Sequence, residues 1–297
     1  MRAAAIFGLN CTEKDLRPFQ RKCDAAWHIG LPVNTSEADA ILIFGGDGTV
    51  HRCLPDLVRL RLPVLVVPCG SGNDFARALG LRNMKDALAA WRKFASGGSN
   101  VRAIDLGMIA ALAEPAPREH YFCCVGGIGL DAEVARRANQ LSPWLRAHGG
   151  YVISLIPALF QFVPCPMKIW VSSPDDPEIF VPHSNQPIVV TAFANAPTYG
   201  GGMKIAPRAH LDDGRLDLCI ISDINRFKLF CLFPTIYFGN HLRMREVEYL
   251  QTSRVRIEAE WPLDVYADGE YVCQTPIEAS VAPEALRVIV QPSQTSL

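Results

Sequence analysis

Two short apolar runs near the start of the chain each end in a glycine-rich loop, and this repeated strand, loop and helix grammar narrows the fold more than any other feature. Ala40-Ile41-Leu42-Ile43-Phe44 leads into Gly45-Gly46-Asp47-Gly48-Thr49, and Pro63-Val64-Leu65-Val66-Val67 leads on to Gly70-Ser71-Gly72-Asn73-Asp74. Runs that are apolar throughout predict parallel strands covered on both faces. Behind each loop the pattern turns helical, over Val50 to Arg61 and over Asn73 to Leu79. Each loop is therefore expected to present backbone N–H groups and a helix N-terminus at one edge of the sheet, where a polyanion can bind. Glycine suits such loops because phosphate must approach the backbone closely and because a positive φ is easy without a Cβ. No Lys follows the glycines, so neither loop is a Walker A motif, and neither fits the dinucleotide G-x-G-x-x-G pattern. Asp47, Asn73 and Asp74 add groups able to fix ribose, a nucleotide edge or a Mg²⁺-bound phosphate, and Thr49 and Ser71 add hydroxyls.

From Met1 to about Arg102 strand and helix alternate, which predicts an α/β domain with a parallel sheet. Ala3 to Phe7 reads as the first strand. A helix from about Asp15 follows, with Leu16, Phe19, Cys23 and Trp27 at helical spacing and Pro18 in its first turn, and Lys85 to Ala95 forms a further amphipathic helix. After Val101 strand-like segments dominate: Ile104–Ile109, Tyr121–Val125, Met167–Ser172, Pro187–Ala194, Arg215–Ser222, Val255–Glu260 and Leu286–Val290. They predict an antiparallel domain interrupted by helices near Asp131–Asn139, Tyr151–Phe162 and Asn225–Tyr237. The expected division is 1–102 and 103–297, with the extreme C-terminus able to pack back on the first domain; 297 residues suffice for two cores.

A formal net charge of −1 gives no steering toward nucleic acid. The 10 cysteines follow no leader sequence and no zinc spacing, so they read as reduced thiols of a cytoplasmic protein. Cys123-Cys124, inside an apolar run, reads as core rather than as a redox pair. Tyr151–Val163 and Phe227–Phe238 are apolar but too short to cross a bilayer. Each is expected to be a buried or interfacial helix, the sharper alternative being a cleft wall or a membrane-touching surface.

Three polar clusters lie in the β-rich half. In Gly126-Gly127-Ile128-Gly129-Leu130-Asp131 the Asp is a candidate helix cap. Gly200-Gly201-Gly202-Met203-Lys204 through Pro207, followed by Leu211-Asp212-Asp213-Gly214-Arg215-Leu216-Asp217, offers a turn, a hard-cation site and, in Lys204, a phosphate contact. Val265-Tyr266-Ala267-Asp268-Gly269-Glu270-Tyr271-Val272 is first of all a hairpin signal. The alternative is that Asp268 and Glu270 project the same way from extended backbone and act on a proton or a metal.

In their order along the chain these clusters resemble the diacylglycerol kinase catalytic-domain family, which includes sphingosine and ceramide kinases and soluble bacterial lipid kinases. The carriers are Gly45 to Thr49, Gly70-Ser71-Gly72-Asn73-Asp74-Phe75-Ala76-Arg77, Gly200 to Pro207, Leu211 to Gly214 and Asp268-Gly269-Glu270; His51-Arg52 stands where the family continues with Asn-Glu. The resemblance implies an α/β nucleotide-binding domain like that of phosphofructokinases and NAD kinases, then a mainly antiparallel β-sandwich domain, with ATP in the cleft between them. It implies phosphate binding by Gly45, Gly46, Asp47, Gly48 and Thr49, and a nucleotide site completed by Gly70, Ser71, Gly72, Asn73 and Asp74. Asp268 would act as base on a lipid hydroxyl with Glu270 close by, and Asp213 with the backbone carbonyls of His210 and Arg215 would hold a structural Mg²⁺. The expected enzyme is a cytoplasmic ATP- and Mg²⁺-dependent lipid kinase, transiently membrane-associated and compatible with a homodimer. NAD kinase shares the Gly-Gly-Asp-Gly loop, but Asn73-Asp74-Phe75-Ala76-Arg77 and Asp268-Gly269-Glu270 favour the lipid kinases. A non-catalytic nucleotide-binding regulator is the third reading, disfavoured by the presence of Asp268 and Glu270.

Overall fold

The computed structural model describes residues 1–9, 11–21, 24–113, 118–141 and 150–291. The chain forms two compact units, one of Met1–Asp105 together with the chain from Pro283, the other of Leu106–Ala282.

In the first unit, β1 (Arg2–Phe7), β2 (Ala26–Ile29), β3 (Ala40–Gly45) and β4 (Val64–Pro68) form a parallel sheet in the order β2-β1-β3-β4. The last strand, β15 (Ile277–Ile289), ends beside β4 with Val288 opposite Val64, also parallel. Ala3, Ala4 and Ala5 are fully buried, as are Ile41 to Phe44, because helices cover both faces of a parallel sheet. The helices are α1 (Glu13–Gln20), α2 (Asp47–Leu60), α3 (Asp74–Ala78) and α4 (Met84–Ala95). Asn83 caps α4 by accepting from the N–H groups of Lys85 and Asp86 at 2.9 and 3.1 Å. Asn100, itself buried, donates its amide to Ala90 O and Val290 O at 3.0 and 2.9 Å and so ties α4 to the end of the chain.

α1 differs from its expected form. It begins at Glu13, because Thr12 is the N-cap: its N–H donates to Asp15 Oδ2 at 2.8 Å, and the Asp15 N–H returns to Thr12 O at 2.9 Å. Pro18 therefore lies near the end of an 8-residue helix rather than in its first turn, and the helix stops two residues later. Trp27, expected on the same helical face, stands in β2 opposite Ala3, with its ring 5.6 Å from that of Trp91. Cys23 lies outside the described residues.

The second unit is an antiparallel β-sandwich. Its strands are the end of β5 (Val101–Ala111), β6 (Glu119–Phe122), β7 (Val125–Gly129), β8 (Cys165–Ser172), β9 (Phe180–Ala194), β10 (Leu216–Ser222), β11 (Val247–Thr252), β12 (Arg254–Ala259), β13 (Asp264–Ala267), β14 (Glu270–Gln274) and the start of β15. The 15-residue β9 serves two sets of partners: Phe180–Ile188 pairs with β8, and Val190–Ala194 lies between β7 and β10. Phe122 and Phe193 meet edge to face at 5.7 Å in the core, and a Cβ on Gly107 or Gly126 would run into these rings. The helices are α5 (Leu130–Gln140), α6 (Gly150–Gln161) and α7 (Arg226–Ile236), with a 3-10 turn at Asn240–Arg243. None of the described helices is long and apolar enough to cross a membrane. Cys123 and Cys124 are both buried, as the core reading expects.

Candidate active site

The two glycine loops of the first unit pack on each other. A Cβ built on Gly70 would lie 2.6 Å from Gly46 Cα, and one on Gly45 would lie 2.6 Å from Thr49 Cβ. Glycine is required here by close backbone approach, not by handedness: no glycine of either loop has positive φ, and Gly46 has φ −105°. The left-handed residue is instead Asn73, with φ 53°. Its side chain closes the second loop on itself, accepting from Gly70 N–H at 2.8 Å and donating to Gly70 O at 2.6 Å. Asp74 is buried and paired with Arg77 at 2.8 Å, while Arg77 also donates to Gly72 O. Asn73-Asp74-Phe75-Ala76-Arg77 is thus a self-supporting turn seated on two buried apolar residues, Phe75 and Ala76.

Asp47 joins the loops. Its Oδ2 accepts from Asp74 N–H at 3.1 Å and its Oδ1 from Phe75 N–H at 3.0 Å, which are the first two N–H groups of α3. The N-terminus expected to open toward a polyanion behind the second loop is therefore answered by a carboxylate from the first. The longer helix α2, capped by Gly46, brings its N-terminal backbone to the same place, with Gly48 and Thr49 in its first turn. Ser71 is exposed on the second loop. Just ahead of that loop the thiols of Cys69 and Cys11 hydrogen-bond, and burial pushes Cys69 up to about 12, so the pair is protonated at neutral pH.

In the second unit, Asp268 and Gly269 form a two-residue turn between β13 and β14, with φ 51° and 85°; positive φ at both central residues is the type I′ pattern. This corrects the picture of Asp268 and Glu270 on one extended strand. Glu270 opens β14, half-buried, opposite Ala267, whereas the Asp268 carboxylate turns back onto the chain before β7. It accepts from the N–H groups of Cys123, Cys124 and Val125 at 2.7, 2.8 and 3.3 Å. For this reason the expected strand Tyr121–Val125 breaks at Cys123-Cys124. Asn195, which the sequence did not single out, holds the other side of the break: its N–H donates to Cys124 O at 2.8 Å and its amide to Cys123 O at 3.1 Å. Asn139, at the end of α5, donates to Gly269 O at 2.8 Å and steadies the tip. The only hint of Asn195 was a polar residue ending a long apolar run.

Asp131 does not cap α5; it is buried in the first turn, and its Oδ1 accepts from Tyr199 OH at 2.7 Å. Lys204 is exposed. His210, Asp213 and Arg215 lie on the exposed loop before β10, where Asp213 Oδ1 accepts from Arg215 N–H at 3.1 Å. Asp217, the last residue of the same sequence cluster, stands beside them in β10 and is fully buried, which its place in an apolar run could have signalled. It accepts from Tyr249 OH at 2.6 Å, and the Gln251 amide lies 3.3 Å from both Asp217 and Asp213. Burial, together with the Asp213 charge, raises the Asp217 pKa. Among the described residues no group of three or more His, Cys, Asp or Glu side chains could hold a metal.

The parallel α/β unit with its paired glycine loops and the antiparallel sandwich with its carboxylate hairpin each match a domain of known kinases. Residues 10–109 match the diacylglycerol kinase catalytic domain, and residues 125–290 match the YegS C-terminal NAD kinase beta sandwich-like domain. A diacylglycerol kinase of Mycobacterium tuberculosis (strain ATCC 25618 / H37Rv) is 34% identical over 264 residues, covering 89% of this chain and 81% of that protein. A diacylglycerol kinase of Bacillus subtilis (strain 168) is 27% identical over 248 residues, covering 83% and 76%. A crystal structure of a diacylglycerol kinase from Bacillus anthracis str. Sterne shares the fold with a TM-score of 0.66 at 19% identity, covering 98% of this chain and 97% of that one. The chain belongs to the diacylglycerol kinase family and is a lipid kinase.

Proposed function

We propose that this lipid kinase transfers the γ-phosphate of ATP to a hydroxyl of diacylglycerol or a closely related lipid alcohol, with Asp268 receiving the hydroxyl proton. The observation that carries the reading is the seating of Asp268. Three backbone N–H groups hold its carboxylate in one orientation, and Asn139 and Asn195 fix the hairpin tip and the turn it binds. Phosphoryl transfer passes through a loose transition state, so orienting the acceptor oxygen matters more than base strength. As the new O–P bond forms and the bond to the departing diphosphate breaks, the proton moves to the Asp268 carboxylate, and Glu270 supplies a second negative charge near the tip.

The phosphates of ATP, in this reading, lie on Gly45, Gly46, Asp47, Gly48 and Thr49 with Gly70, Ser71, Gly72, Asn73 and Asp74 alongside. The support is the meeting of the two loops at the N-terminus of α2, where Gly46 and Gly70 pack too closely to admit a Cβ. Asp47 and Asn73 act by holding the two loops in register. Mg²⁺ carried with ATP would neutralise phosphate charge. A structural Mg²⁺ would be held by Asp213 with the carbonyls of His210 and Arg215, an all-oxygen donor set that suits a hard cation.

The test is incubation with labelled ATP and either diacylglycerol or NAD, with the parent protein and Asp268→Asn, which keeps an acceptor for the N–H groups. A phosphorylated lipid is expected from the parent, and a turnover lower by about 10²-fold or more from the variant at unchanged ATP affinity. Phosphorylated NAD as the sole product, or equal turnover by both proteins, would overturn the proposal.

A further inference from the structure

Helix α7, Arg-Phe-Lys-Leu-Phe-Cys-Leu-Phe-Pro-Thr-Ile, is apolar on two opposite faces. Leu229, Leu232 and Ile236 are buried against the second unit, where the helix packs on α6 and on the 3-10 turn. Phe227, Phe230, Cys231 and Pro234 fall at i, i+3, i+4 and i+7, within an arc of about 100° on the far side. That arc faces solvent: Phe227 is 75% exposed and Phe230 51%, and Phe238, just past the helix, is 74%. A soluble helix normally puts polar residues there. Exposed Phe side chains repeated at helical spacing form one patch rather than scattered singles.

The charge around the patch selects its partner. From Asn225 to Arg245 the chain carries Arg226, Lys228, Arg243 and Arg245 and no acidic residue, although the whole protein has a formal net charge of −1. Arg226 and Lys228 flank the apolar arc on its two sides; Lys228 reaches Glu246 at 2.9 Å, while Arg226, Arg243 and Arg245 are exposed. An apolar arc bordered by cations is complementary to a bilayer whose headgroups are anionic, with the rings among the acyl chains and the cations at the phosphate level. With 11 residues α7 spans about 16 Å, half of a hydrocarbon core, so it lies in the interface and does not cross it.

We propose that the outer face of α7, with Phe238 and the arginines after it, is the surface by which this enzyme seats on an anionic lipid bilayer. The inference rests on the reading that the acceptor is a membrane lipid, and it names how the enzyme reaches that lipid. The experiment uses the full chain with vesicles of phosphatidylcholine alone and of phosphatidylcholine with about 30 mol% phosphatidylglycerol, the anionic component. The parent is expected to co-sediment with the anionic vesicles and to be released by salt. A variant with Phe227→Ser, Phe230→Ser and Phe238→Ser should partition about tenfold or more weakly at an unchanged unfolding midpoint. Its activity should fall on vesicle-borne diacylglycerol and stay at the parent's level on a dispersed short-chain diacylglycerol. A second variant, Arg243→Glu with Arg245→Glu, should lose binding to anionic vesicles without any change in the aromatic side chains. Equal partitioning of parent and Phe variant, or a parent that binds neither vesicle, overturns the proposal. So does a parent dimer that the Phe substitutions convert to a monomer while neither form binds vesicles, because the face would then belong to a second copy. If the parent phosphorylates no diacylglycerol in either form yet the substitutions abolish vesicle binding, the acceptor reading falls and the docking surface stands.

Discussion

Gly70→Ala tests the loop cradle directly. A Cβ at this position would lie 2.6 Å from Gly46 Cα, 3.0 Å from Asn73 Oδ1 and 3.2 Å from Gly46 N, so the obstacle is backbone and cannot swing away as a side-chain tip can. Ordinary contact begins at 3.4 Å, and the loops must therefore part by about 0.8 Å. Overpacking of this kind costs about 1–3 kcal/mol of stability. Its effect on transfer should be larger in proportion, because a displacement near 1 Å in a positioning element lowers the rate by about 10²-fold. The assay is kcat/KM for ATP at saturating lipid, read beside the unfolding midpoint. Gly97→Ala is the control: at φ 83° with nothing within 4 Å of the added Cβ, it costs roughly 1 kcal/mol of backbone strain and touches neither loop. Gly70→Ala should lose activity on the order of 10²-fold, and Gly97→Ala should lose stability alone. Activity of Gly70→Ala within twofold of the parent, or an equal loss in both variants, would refute the argument that the loops' mutual contact sets the geometry.

Asp47→Asn should destabilise the first unit by about 1–3 kcal/mol, since the amide retains one acceptor for the two N–H groups of α3 and turns an N–H₂ donor toward the other; an unchanged denaturant midpoint would remove Asp47 from its role as a bridge. His241 is fully buried, its Nε2 hydrogen-bonded to Ile205 O at 3.0 Å, and burial lowers its pKa. As pH falls below about 6.5 the unfolded chain takes up this proton before the folded chain does, so stability should drop through that window by up to about 1.4 kcal/mol per pH unit. In His241→Gln, denaturant midpoints at pH 7.5 and 5.5 should differ less than in the parent; identical differences would remove His241 as the cause.

Much of the first unit was legible because its signals are local. The continuous apolar runs of β3 and β4 and the amphipathic period of α4 depend on near neighbours in the chain, and the structure reproduces them within a few residues. The dipeptide Asp268-Gly269 likewise announced its hairpin, whereas the period-2 argument that placed Asp268 and Glu270 on one side failed because positive φ at both turn residues breaks the alternation. The spacing of Leu16, Phe19 and Trp27 fitted a helix, but parallel pairing with β1 claimed Trp27 for a strand. The run that forms α7 read as a buried or interfacial helix, but which of its faces is exposed could not be read from the sequence, since both are apolar.

The amino-acid order was enough to set most element types, the two glycine loops, the Asp-Gly turn and the family, because turn chemistry and periodicity act over a few residues. The pairing of polar groups required the folded chain. Asp268 finds its N–H donors 143 to 145 residues away, Asp47 reaches across to α3, and Gly46 and Gly70 are glycines because the sheet sets their loops against each other. Such partners are chosen by strand register and packing, which bring distant residues to one place.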